Sequence, residues 1–170
     1  MVTAELFSEV ERVFPFIAKP QGLDLSSHKG ECPLCEYLRQ DLEAFTGQEL
    51  PREALRDIYN EMSCLSAEGW RWALPSYLRH CLTVTDNYND SETEFLIYNL
   101  GPAAEHQAET LQRLAALNEE QINCLVHFLE WCNLHPHWSE YCKDDVSRAI
   151  AFMRTPRPNH SFQRTALGSR

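Results

Sequence analysis

The stretch Asn118-Glu119-Glu120-Gln121-Ile122-Asn123-Cys124-Leu125-Val126-His127-Phe128-Leu129-Glu130-Trp131-Cys132-Asn133-Leu134-His135-Pro136 decides the fold class. Ile122, Leu125, Val126, Leu129 and Cys132 recur at helical spacing and form one broad apolar face. Asn118 followed by Gln121 is a capping box, in which each side chain satisfies an otherwise orphaned amide of the first turn. Pro136 stops the run. A start, a face and a stop are all written in the chain.

Weaker copies of this pattern extend in both directions. Downstream, Ser139 is expected to cap a last helix through Met153, with Cys142, Val146, Ala149, Ile150 and Met153 inward. Upstream, residues 104–117 read as a helix on Leu111, Leu114 and Leu117. Ser91 with Glu94 is a second capping box, opening Phe95 to Leu100 before Gly101-Pro102; without that cap the six residues also suit a strand. Ser66 caps Ala67 to Ala73, and Pro75 introduces a kink or a new first turn ahead of Tyr77, Leu78, Cys81, Leu82 and Val84. Pro33 and Pro51 suit first helical positions. The helix from Pro33 carries the stripe Leu34, Leu38, Leu42 and Phe45, and the one from Pro51 carries Leu55, Ile58 and Tyr59 or Met62. Residues 3–13 form the first helix, capped by Thr3, with Leu6, Val10 and Val13 inward. The segment Ala18 to Glu31 holds Pro20, Gly22 and Gly30 and reads as loop. The expectation is all-α: one compact multi-helix domain over residues 1–153, and a basic, extended or disordered arm over residues 154–170.

A chain of 170 residues with 44% hydrophobic content fits one domain with a real core, which excludes disorder of the whole chain. Its net charge of −10 is uneven. Residues 31–70 hold nine acids against three arginines, and residues 86–145 hold twelve against Arg113 and Lys143. From Val146 onward there are five arginines and no acid. Such a body lacks the cationic footprint that direct nucleic-acid binding requires, and suits a basic protein partner instead. Tyr88, flanked by Asp86, Asn87, Asn89 and Asp90, is an aromatic in an acidic loop, the form an interface anchor takes. The expected partner-binding set is Tyr88, Asp86, Asp90, Glu92 and Glu94, with Glu130 and Trp131 at a boundary between core and surface. No stretch approaches eighteen apolar residues, so no membrane span is expected. The N-terminus carries acids where a secretory signal carries basic residues, and seven cysteines look like reduced thiols; both point to the cytoplasm.

Chemistry is sparse. His28-x3-Cys32-x2-Cys35 has two thiols that can converge across a tight turn, a zinc-knuckle geometry. A second run, Cys124, His127, Cys132, His135, His137 and Cys142, offers no such knuckle. Zinc needs four converging ligands and no fourth is evident, so an ordinary reduced pair packing the loop is the preferred reading and a structural zinc the lesser one. Redox work by Cys32-Pro33-Leu34-Cys35 gains from a helix N-terminus but lacks the thioredoxin strands and is opposed by Glu31 and Glu36. No nucleophile elbow and no glycine-rich phosphate loop occurs, and His-x-His at 135–137 reads as an interhelical turn. The chain is expected not to be an enzyme and to need no cofactor beyond that zinc.

Phe14-Pro15, the loop to Cys32-x2-Cys35, Ala73-Leu74-Pro75-Ser76-Tyr77-Leu78, and Leu117-Asn118-Glu119-Glu120-Gln121 before Phe128-Leu129-Glu130-Trp131 resemble a small, mostly bacterial family of uncharacterised helical proteins. The resemblance covers about residues 10–135 and carries no catalytic residue with it. As a class, small acidic helical proteins resemble the immunity proteins that neutralise bacterial toxins. The expected function is therefore an acidic binding protein that inhibits a toxin, such as a nuclease, by covering its basic active face. The alternative is a small zinc-stabilised or thiol-dependent regulatory protein or enzyme.

Overall fold

The helix that decides the sequence reading is α7 (Glu119–Leu134), and its capping box is in place. Asn118 Oδ1 accepts from Gln121 N at 2.9 Å, and Gln121 Oε1 accepts from Asn118 N at 3.1 Å. The Gln121 amide also donates to Val13 O, tying the start of α7 to the end of α1 (Thr3–Val13). The structure, a computed structural model, describes residues 2–30, 32–83 and 91–155, and for residues 59 and 60 the backbone alone. Tyr88, Asp86, Asp90 and the arm from residue 156 onward lie outside the described residues.

The remaining helices are α2 (Pro33–Asp41), α3 (Arg52–Ile58), α4 (Ala67–Thr83), α5 (Ser91–Leu100), α6 (Gln107–Leu114), α8 (Pro136–Tyr141) and α9 (Lys143–Met153). Three 3₁₀ turns, Gly22–Leu25, Tyr59–Cys64 and Ala104–His106, join them. No strand occurs among the described residues, so the protein is all-α, with a single Ser26–Leu65 bridge between loops. Helix α7 packs against α1 and α9, α5 against α9, and α4 against α1 and α6. Leu125, Phe128, Leu129 and Cys132 of α7 meet Leu6, Val10, Val146 and Ala149 in one core cluster. Leu38, Leu42, Leu125 and Leu129 are buried as expected, whereas Ile150 is only partly buried.

Several expectations are corrected. Pro75 does not start a new helix: α4 runs unbroken through it from Ala67 to Thr83. Twelve of the seventeen α4 residues are buried, so packing on every side outweighs the missing amide hydrogen bond. In α2 the inward register is Cys35, Leu38 and Leu42, and Leu34 is exposed. In α6 Leu111 is exposed, and Thr110 and Arg113 take its place; Arg113 donates to Ser63 O and Thr110 Oγ1. Thr3 lies inside α1, and its hydroxyl accepts from Trp131 Nε1. Ser139 does not cap the last helix: Pro136 opens the short α8, Ser139 donates to Pro136 O, and Cys142 precedes α9. Ser66 does cap α4, its hydroxyl accepting from Gly69 N.

Two glycines permit close approaches. A Cβ on Gly101 would lie 2.7 Å from the Ala149 backbone, which lets the end of α5 seat directly on α9. A Cβ on Gly69 would lie 2.5 Å from Leu25 O, so only glycine lets the segment ahead of α2 lie against the first turn of α4.

Candidate metal centre

The segment after α1 has little regular structure of its own, and its position is set by hydrogen bonds to distant partners. Ser66 N donates to Leu25 O at 3.0 Å and Ser27 N donates to Cys64 O at 2.8 Å, on either side of the Ser26–Leu65 bridge. Arg39 Nη1 donates to Ser26 Oγ at 2.6 Å, and Ser66 Oγ donates to Asp24 O. These bonds carry His28 over the N-terminus of α2. Pro33 occupies the first helical position there, with Cys32 just before it and Cys35 within the first turn.

His28, Cys32 and Cys35 therefore converge: their ligand atoms all lie within 4.8 Å of one another. His28 Nδ1 is 3.5 Å from Cys35 Sγ. Tetrahedral zinc, with Zn–S of about 2.3 Å and Zn–N of about 2.05 Å, requires an S···N separation of about 3.6 Å. The His28–Cys35 pair thus already has nearly the spacing the ion would impose. Cys35 is buried, Cys32 half-buried and His28 exposed, so the cluster opens to solvent on one side. The Cys32 thiol is held below its usual range, chiefly by the Cys35 amide and thiol, with help from Leu34 N–H and the Arg39 charge. Soft thiolates and an imidazole are the donors zinc prefers.

Cys64, which the sequence reading did not assign, borders this trio. Its carbonyl oxygen is 3.9 Å from Cys35 Sγ. Burial pushes the Cys64 thiol up to about 12, and the neighbouring Cys35 and Cys32 thiols push the same way. No local periodicity marks Cys64; only its position directly before the Leu65-Ser66 cap of α4 sets it apart.

The second His/Cys run forms no such centre among the described residues. Cys124 and Cys132 are buried core thiols; burial, the largest cause in each, raises Cys124 to about 12 and Cys132 well above its usual range. His127 Nδ1 sits 3.0 Å from Glu9, and His135 and His137 pack against Trp131, Trp138 and Tyr141.

The expected partner face is largely dispersed. Glu92 is 2% exposed and lies between Arg56 Nε at 3.3 Å and His80 Nε2 at 3.8 Å, while Tyr77 Oη donates to its carbonyl oxygen. Trp131 is 7% exposed and faces the core. Both side chains are buried because α5 and α7 turn these positions inward. Glu130 is half-buried and paired with Arg154. Glu94 is exposed, beside a groove of about 870 Å³ that Phe95, Tyr98, Glu109 and Asp145 also line.

These features define an all-α protein with a thiol–imidazole cluster clipped to one edge of its helices. The chain belongs to the family of unknown function DUF6714, matched over residues 37–152. His28, Cys32 and Cys35 precede that span and Cys64 lies inside it. No match is found among curated proteins or solved structures. No helix among the described residues is long and apolar enough to cross a membrane.

Proposed function

We propose that the protein is a non-enzymatic, zinc-binding helical protein in which His28, Cys32 and Cys35 hold the ion. The observation that carries this reading is the convergence of one imidazole nitrogen and two thiol sulfurs within 4.8 Å. The donor set selects zinc over magnesium or calcium, which take oxygen ligands. None of the seven cysteines forms a disulfide, which suits a reducing, cytoplasmic setting. Metal analysis of the reduced full chain tests the reading. Near-stoichiometric zinc, lost in Cys32→Ser/Cys35→Ser, is the expected result; a chain that takes up neither zinc nor cobalt when titrated overturns it.

A second reading, inhibition of a bacterial toxin through a basic surface, draws support from exposed Glu94 and Tyr98 beside the α5–α6–α9 groove. An arginine or lysine of the partner would pair with the carboxylate and lie on the ring. Calorimetry against a basic toxin domain encoded beside this gene tests it. Salt-sensitive binding weakened by Glu94→Lys supports inhibition, and no binding at low salt refutes it.

A further inference from the structure

We infer that Cys64 is the fourth zinc ligand, closing the site as a Cys₃His centre that ties the 3₁₀ turn Tyr59–Cys64 to the N-terminus of α2. This rests on the zinc reading above and decides its kind. Three protein ligands and an open position make a reactive zinc; four make a closed, structural one.

The geometry places Cys64 with the trio from three directions. Its carbonyl accepts from Ser27 N at 2.8 Å, so residue 64 pairs directly with the residue before His28. The same carbonyl is 3.9 Å from Cys35 Sγ. On the other side, Arg113 Nη1 donates to Ser63 O at 3.0 Å, holding the turn from α6. The Cys64 side chain is buried. Its sulfur is not among the ligand atoms that lie within 4.8 Å of one another, so ligation requires the Cys64 side chain to turn toward Cys35 while the backbone pairing stays fixed.

The charge of a closed site also has a partner. Three thiolates and a neutral imidazole around Zn²⁺ leave one negative charge. Arg39, one turn beyond Cys35 on α2 and bonded through Nη1 to Ser26 Oγ at 2.6 Å, supplies a positive charge beside it. Binding releases the thiol protons of all three cysteines to solvent.

Cobalt substitution of the reduced full chain, followed by sulfur-to-cobalt charge-transfer absorption, counts the thiolates. The wild type is expected to show three, and Cys64→Ser to lose about one third of the intensity and at least about tenfold in affinity. Cys124→Ser is expected to leave both unchanged. X-ray absorption of the zinc-loaded wild type gives the same count without a variant, so a misfolded Cys64→Ser leaves the test intact. Three sulfurs and one nitrogen support the closed site. Two sulfurs with nitrogen and oxygen, or an unaltered Cys64→Ser spectrum, overturn the role of Cys64 and leave the three-residue reading standing. A wild type that binds no cobalt overturns both.

Discussion

Gly69→Ala sets two effects of opposite sign against each other. Gly69 lies in the first turn of α4, and exchanging glycine for alanine inside a helix is favourable by up to about 1 kcal/mol. Against this, the new Cβ would sit 2.5 Å from Leu25 O and 3.1 Å from Leu65 Cδ2. Ordinary carbon–oxygen contact is about 3.3–3.6 Å, so Leu25 has to retreat by roughly 1 Å. That retreat stretches the Ser66 N to Leu25 O hydrogen bond from 3.0 Å beyond bonding range. A lost bond of this kind costs about 1–3 kcal/mol, and overpacking a close contact adds about 1–3 kcal/mol. The clash therefore outweighs the propensity gain, for a net destabilisation of about 1–5 kcal/mol. Urea denaturation is the assay, with a lowered midpoint at unchanged slope. Because Leu25 leads directly into His28, cobalt affinity should fall in the same variant. A Gly69→Ala protein as stable as the wild type, or more so, refutes the close-approach argument.

Glu92→Gln is expected to destabilise by about 1–3 kcal/mol, toward the low end because Arg56 is 53% exposed and its charge is screened. Glu94→Gln should stay within about 0.5 kcal/mol, and equal thermal shifts for the two would contradict the burial of Glu92. Burial holds His80 below its ordinary range, aided by Arg52 and Arg56 and opposed by Glu92. The unfolded chain then takes up the proton first, so this contribution is complete above about pH 6.5 and is lost as pH falls through the folded value. Urea midpoints between about pH 7.5 and 5.5 should fall less steeply in His80→Gln; parallel curves would remove His80 as the cause. Asn118→Ala should cost about 1 kcal/mol through the lost cap, and Ser139→Ala no more than about 0.5 kcal/mol, by thermal melting.

The helices were legible where the signal was local. The Asn118–Gln121 box, the Ser66 cap and Pro33 at a first turn all act within four residues, and all three are found. What failed was set by distant partners. Pro75 reads as a breaker because propensity sees only its missing amide, whereas α4 is held by its surroundings. Glu92 reads as surface because it is charged, yet Arg56, thirty-six residues away, makes its burial tolerable. Three of the four candidate ligands were legible in the same way. His28-x3-Cys32-x2-Cys35 is a spacing that any strip of sequence shows, but Cys64 lies twenty-nine residues beyond Cys35 and carries no motif. Its proximity follows from the loop bridge at Ser26–Leu65, which no periodicity announces.

The position of the cluster explains why a closed zinc would matter to this fold. Between Val13 and Pro33 the chain has one 3₁₀ turn, Gly22–Leu25, so it makes few hydrogen bonds with itself. It is held instead by ties to remote residues: Lys19 Nζ to Leu42 O, Arg39 to Ser26, and Ser66 and Ser27 across the loop bridge. Each such tie contributes only about 1 kcal/mol net, and each must offset the entropy of ordering a long segment. A metal bound by His28, Cys32, Cys35 and Cys64 joins both sides of that bridge at one point, with a binding free energy far above any single hydrogen bond. Cys35, Leu38, Cys64 and Leu65 belong to the same apolar cluster as the core residues of α1, α7 and α9. Zinc would therefore fasten the segments that carry His28 and Cys64 to the N-terminus of α2 at the margin of that shared core, where the chain otherwise relies on single hydrogen bonds.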